Sequence, residues 1–129
     1  MIIRPKPQSN DLLFSCSGAA DLAEIGDLAV RCLHKGGEAR MFCLAGIGGK
    51  VDSILEKTLE ADRIFVVDGC ESDCAKRTVE GGGFTGFTHL RISDLGWEKG
   101  KTPVTPERVD LVANKLRGFL AGPPAEARS

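Results

Sequence analysis

The chain has 129 residues, the size of one ordinary domain with little room for a second. Hydrophobic residues make up 42% and charged residues 27%, a globular mixture that argues against a disordered or fibrous chain. With 17 basic against 18 acidic side chains the net charge is -1, so no general attraction to nucleic acid or to an anionic membrane is expected.

Residues 1–10 are polar and carry two prolines, and they read as a flexible arm. They lack the long apolar core of a secretion signal. No apolar run approaches the roughly 18 residues that a membrane crossing needs. The chain therefore reads as cytoplasmic. Asp11 to Cys16 is a short apolar run ending at Ser17-Gly18, as a buried strand would. Leu22, Ile25, Ala29 and Cys32 then recur at spacings of three and four, which predicts a helix with Cys32 on its buried face, stopped by Gly36-Gly37. Ala39 to Leu44 is a second strand candidate, followed by a turn over Gly46-Ile47-Gly48-Gly49. Val51, Ile54, Leu55, Thr58 and Leu59 mark a second helix.

Arg63 to Val67 is the clearest strand, β-branched and continuous, as expected where both faces of a parallel sheet are covered. Asp68-Gly69 follows, and Ser72 is placed to cap a helix from Asp73 to about Glu80, which Gly81-Gly82-Gly83 breaks. Phe87 to Ile92 alternates as a fourth strand nearer an edge. Lys99 to Pro103 reads as loop. Thr105 then caps a last helix that has Pro106 at its first position and Val109, Val112, Leu116 and Leu120 on its buried stripe. Gly122-Pro123-Pro124 ends it, and residues 122–129 read as a disordered tail. Strands alternate with helices, so the expected fold is α/β: a single three-layer domain over residues 11–121, with a mostly parallel sheet of about four strands flanked by helices.

The cysteines fall on this map in a pattern. Cys16 and Cys43 end the first two predicted strands, Cys70 follows the third, and Cys74 lies one helical turn further on. The carboxyl ends of parallel strands share one rim, where ligands bind. Four thiolates converging there would suit a tetrahedral zinc ion. A reducing compartment disfavours disulfides, which leaves metal, redox chemistry or plain burial for these thiols. Cys-x3-Cys is not the usual Cys-x2-Cys zinc knuckle, so the argument rests on the shared rim. Cys32 stands apart as a core residue.

Other candidates carry less. His34 sits at a helix end as a solvated or capping residue, and His89 reads as a structural histidine within a strand. Asp68 fits either a turn or a hydrogen-bonding role behind a metal ligand. Gly46-Ile47-Gly48-Gly49 lacks the spacing of a dinucleotide loop and the lysine of a P-loop. Its amides would help to stabilise negative thiolates. A cysteine-phosphatase reading fails on charge. Lys76 stands six positions after Cys70, where those sites need arginine, and Glu71 and Asp73 would repel a dianion.

Val67-Asp68-Gly69-Cys70-Glu71-Ser72-Asp73-Cys74-Ala75-Lys76 resembles the signature of the DGC-domain family, described as zinc-binding proteins of bacteria and archaea. Cys16-Ser17-Gly18-Ala19-Ala20-Asp21 and Met41-Phe42-Cys43-Leu44-Ala45-Gly46-Ile47-Gly48 are similar to two further elements of that family. Glu71 departs from the proline often found there. The resemblance implies zinc held by Cys16, Cys43, Cys70 and Cys74 for structure, sensing or transfer, and it supplies no reaction. Three alternatives stay open: a thiol redox enzyme or carrier using Cys70 and Cys74, an iron–sulfur site, and a noncatalytic domain whose cysteines pack.

Overall fold

A computed structural model of the chain describes residues 10–122. The apolar runs become four strands among the described residues: β1 (Asp11–Ser15), β2 (Arg40–Met41), β3 (Arg63–Asp68) and β4 (Thr88–Arg91). The helices between and after them are α1 (Asp21–Lys35), α2 (Leu44–Gly48), α3 (Asp52–Leu59), α4 (Cys74–Gly81) and α5 (Pro106–Leu120), and a 3-10 turn over Ile92–Leu95 follows β4. Every strand pair is parallel and the order is β2-β1-β3-β4.

Alternate side chains of the two central strands go to opposite faces, and helices cover both. Leu13, Phe65 and Val67 pack with the buried stripe of α1 (Leu22, Ile25, Ala29, Leu33) and with Val112, Ala113 and Leu116 of α5. Leu12, Phe14, Ile64 and Val66 pack on the other face with Ile47 of α2 and with Ala75 and Val79 of α4, and Ile54 and Leu55 of α3 lie against that cluster. Double coverage is why β1 and β3 read as continuous apolar runs rather than alternating ones. The fold is a single three-layer α/β domain, as the sequence predicts. Among the described residues no helix is long and apolar enough to cross a membrane. The expected arm over residues 1–10 and the expected tail over 122–129 lie outside the described residues, apart from Asn10 and Gly122.

Four local expectations are revised. The second strand, expected over Ala39–Leu44, is only Arg40–Met41. Phe42 N–H still donates to the Leu13 carbonyl at 2.9 Å, after which the chain turns and Cys43 becomes the N-cap of α2. The glycine run Gly46–Gly49, expected as a turn, therefore begins inside a helix. Gly46 is needed there: a Cβ at that position would stand 2.6 Å from Cγ1 of Ile54, so only a bare backbone lets α2 and α3 approach. The fourth strand, expected over Phe87–Ile92, is Thr88–Arg91, because Ile92 already starts the 3-10 turn. Cys32 is exposed, not buried. The buried stripe of α1 continues from Ala29 to Val30 and Leu33, and Cys32 lies one residue, about 100° of helical rotation, off Leu33. The capping of α5 agrees with the sequence reading: Thr105 Oγ1 accepts from Arg108 N–H at 3.2 Å, with Pro106 in the first turn.

Candidate functional site

The β1–α1 connection leads toward β2 and the β3–α4 connection leads toward β4, so the chain diverges between the carboxyl ends of β1 and β3. Such a divergence leaves a crevice between the two departing loops. Cys16 follows β1 directly and its N–H donates to the Val67 carbonyl at 3.0 Å, which pins the two loops side by side. A cleft of about 380 Å³ opens there, and Cys16, Cys70 and Cys74 all line it. The opposite wall is apolar, formed by Ala19, Ala20, Leu22 and Ala23, and Lys99 stands at its side.

Cys43 lines a different, adjoining cleft, and Cys16 borders both. Cys43 Sγ accepts from the Gly46 N–H at 3.3 Å, so an amide of the glycine run does face a thiol, as the sequence suggests. The structure thus gathers three of the four proposed thiols around one cleft, with the fourth across Cys16. Among the described residues, no three thiols have their sulfurs within 4.8 Å of one another. The group of potential ligand atoms that does meet that distance is Asp68, Asp73 and His89.

That trio is already occupied by hydrogen bonds. Asp68 Oδ1 accepts from Ala75 N–H at 2.7 Å, and Oδ2 accepts from Lys76 N–H at 3.0 Å while facing Nε2 of His89 at 2.8 Å. Asp73 takes Arg91 in a two-pronged pair, with Nε at 2.9 Å from Oδ1, and this pair holds the Asp73 carboxyl below the ordinary aspartate value. These contacts fasten the loop after β3 to α4 and β4. They also revise the predicted cap. The N-cap of α4 is Asp73, in the left-handed region at φ 52°, and its side chain makes no cap bond. The orphan amides of the first turn are taken instead by Asp68 from the end of β3. The exposed Ser72 instead gives its hydroxyl to the sulfur of Cys70, and its carbonyl accepts from Arg77 Nε at 3.0 Å. His34 Nδ1, at a helix end as expected, accepts from Met41 N–H at 3.0 Å and so positions β2.

The thiols differ in electrostatics. Burial pushes the Cys16 thiol up, against the N–H groups of Gly18 and Gly69 that donate to its sulfur; the nearby Asp68 and Cys74 push it the same way as burial. The Cys70 thiol is pulled down, first by the Ser72 N–H, then by the Ser72 hydroxyl; burial opposes both and Lys99 assists them. Of the three non-glycine residues with positive φ among the described residues, Ser17 follows Cys16 and Asp73 precedes Cys74. Left-handed backbone of this kind costs roughly 1–3 kcal/mol and concentrates where a loop must aim functional groups.

Two site residues gave no signal in the sequence. Lys99 lies in a stretch that reads as loop, yet its Nζ is 3.8 Å from Cys70 Sγ. Asp21 opens α1 and binds that distant loop: Oδ1 accepts from Leu22 N–H at 2.7 Å and Gly100 N–H at 3.0 Å, and Oδ2 accepts from Thr102 N–H at 3.0 Å. The Gly100 and Thr102 amides hold the Asp21 carboxyl below the ordinary aspartate value of 3.8. A carboxyl depressed by folding stabilises the native state above its unfolded value, and that stability is lost as pH falls through the folded value. Asp21→Asn is accordingly expected to lower the thermal midpoint at pH 7, and the gap from the parent should close as the pH is taken below about 4. Melts across that range check this, and a gap that widens in acid would contradict it.

No solved structure matches the chain with significance. The chain is 33% identical over 89 residues to the anaerobic and virulence modulator AnvM of Pseudomonas aeruginosa, covering 68% of this chain and 67% of AnvM. The DGC-domain model matches residues 12–116, from β1 into α5, which takes in every cysteine and both walls of the cleft. The chain belongs to the DGC-domain family.

Proposed function

We propose that the chain binds zinc at the carboxyl rim of its sheet, through Cys16, Cys70 and Cys74 with Cys43 as the fourth thiolate. The observation that carries this reading is the placement of three thiols from two chain segments, the loops after β1 and β3, around one cleft at the point where the strand order diverges. The donor set suits a thiophilic ion. It offers sulfur ligands, and amide or hydroxyl donors from Gly18, Gly69, Ser72 and Gly46 that stabilise thiolates. Bound there, zinc would supply a redox-inert cross-link held by Cys16, Cys43, Cys70 and Cys74; the chain's own part is to aim and partly desolvate the thiols. No side chain at the cleft is placed as a free general base, since Asp68 and Asp73 are both engaged. This favours a structural, sensing or transfer role over catalysis. The relative's description as a modulator points the same way.

Elemental analysis of protein prepared with and without air tests the reading. About one zinc per chain is expected, with loss of the metal on Cys70→Ala or Cys16→Ala and retention on Cys32→Ala, because Cys32 is on the far side of α1 facing Arg117. Less than about a tenth of an equivalent in the parent would reject it. One observation favours a second reading, thiol redox chemistry at Cys70: its lowered thiol lies in a half-exposed position beside Ser72. Fast alkylation of Cys70 in metal-loaded protein would favour that alternative. Visible absorption would point instead to an iron–sulfur cluster.

A further inference from the structure

We infer that Lys99 is the counter-charge of the thiolate centre, and that Asp21 is the positioning residue that carries it there. The inference rests on the metal-binding reading above and adds two residues to it. A metal held by three or four thiolates is a net anion, and the nearby carboxylates of Glu71 and Asp68 add to the negative charge around it. Such a centre in a partly desolvated cleft is costly unless a cation faces it. Lys99 is the lysine or arginine that lines this cleft. Its ammonium has no carboxylate partner within 4.0 Å among the described residues, and the polar contact it makes is with Cys70 Sγ at 3.8 Å. Two cations beside the cleft are committed elsewhere: Arg91 to Asp73 and Asp94, Lys101 to Glu98.

The loop that bears Lys99 has little regular structure of its own. It is closed locally by Lys101 N–H and Thr102 Oγ1, which both donate to the Glu98 carbonyl, at 3.1 and 2.7 Å. Trp97 and Val104 pack its two ends against the core, and between them Asp21 ties it to α1, its carboxylate taking the Gly100 and Thr102 amides at 3.0 Å each. Asp21 stands at the start of α1, five residues after Cys16, so one loop segment both supplies a thiol and anchors the cation opposite it. A carboxylate bridging two amides this far along the chain fixes Lys99 without touching the cleft itself.

The test is competition for zinc between the protein and a chromophoric chelator, at several salt concentrations. Lys99→Met is expected to weaken zinc binding about tenfold and to flatten its dependence on salt. Lys99→Arg keeps the charge and should remain within about threefold of the parent. Lys101→Met removes the same charge two residues away, outside the cleft, and should leave affinity and salt slope unchanged. Asp21→Asn loses one acceptor and is expected to weaken binding by the same route, so adding it to Lys99→Met should cost little more than Lys99→Met alone. A purely structural role for Asp21 would instead make the two losses additive. Zinc bound by the parent, with affinity and salt slope unaltered in Lys99→Met, would overturn the inference and leave the metal site standing. A parent that binds no zinc would overturn both. Thermal melts of the metal-free variants separate loss of fold from loss of affinity.

Discussion

Asp68→Ala is expected to destabilise the domain by about 3–5 kcal/mol, a large fraction of the stability of a chain this size. Asp68 is 1% exposed and its two oxygens meet three donors: the amides of Ala75 and Lys76 and the ring of His89. Alanine leaves the buried Ala75 amide with no acceptor at the start of α4 and removes the carboxylate from His89. The N-cap residue cannot compensate, because the Asp73 carboxylate is held by Arg91. Asp68→Asn, which keeps one acceptor, should fall between the two. Urea unfolding measures both, and a loss below about 1 kcal/mol in the alanine variant would show that α4 is capped by some other group.

Gly69→Ala is expected to cost about 3 kcal/mol and, with the stability, to remove any zinc binding of the proposed site. A Cβ on residue 69 would stand 2.7 Å from the backbone nitrogen of Ala23 and 3.0 Å from its Cα. Both atoms belong to the helix backbone of α1, which has no flexible end to swing aside. The relief is to move α1 away from β3, and that separates the Cys16 loop from the Cys70 loop and breaks the Gly69 N–H donation to the Cys16 sulfur. Zinc titration of a folded Gly69→Ala sample, confirmed by circular dichroism, reads the two effects separately. Tight zinc binding with parental stability would falsify the close-approach argument. The three residues Asp68-Gly69-Cys70 therefore have three places: Asp68 caps α4, Gly69 admits α1, and Cys70 lines the cleft.

The layer architecture and the rim were legible in the sequence because the signals for both are local. Arg63–Val67 announced a doubly covered strand, and glycine or serine after Cys16 and before Cys70 marked where strands ended. Cys43 reads as a strand end because Ala39–Leu44 is apolar apart from Arg40. The tight packing of Gly46 on Ile54, a contact between helices, decided otherwise. Cys32 was misplaced by one step of helical phase, since a spacing of three from Ala29 suits the buried stripe about as well as the spacing of four that Leu33 realises. Lys99 and Asp21 were invisible for a different reason: their partners are 29 and 79 to 81 residues away. No window along the chain contains both ends of such a contact. The non-local cap by Asp68 was hidden behind Ser72 and Asp73, two residue types that ordinarily cap helices themselves.

The N–H···O contact between Cys16 and Val67 has a consequence for how the molecule assembles. β1 and β3 are adjacent and in register from Asp11 with Arg63 onward, although 52 residues separate those partners. Closing a loop of that length costs roughly 3–4 kcal/mol of chain entropy, offset only once both faces of the strand pair are buried. In the denatured chain Cys70 and Cys74 are neighbours, whereas Cys16 is a stranger to both. An ion captured early by the Cys70–Cys74 pair would hold a half-made site through two sulfurs. In the proposed site the Cys16 thiolate would join only as the central strands zip together, so the last step of ligation and the last step of folding would be one event. The rate at which metal becomes resistant to a competing chelator should therefore track the refolding rate of the sheet rather than the metal concentration.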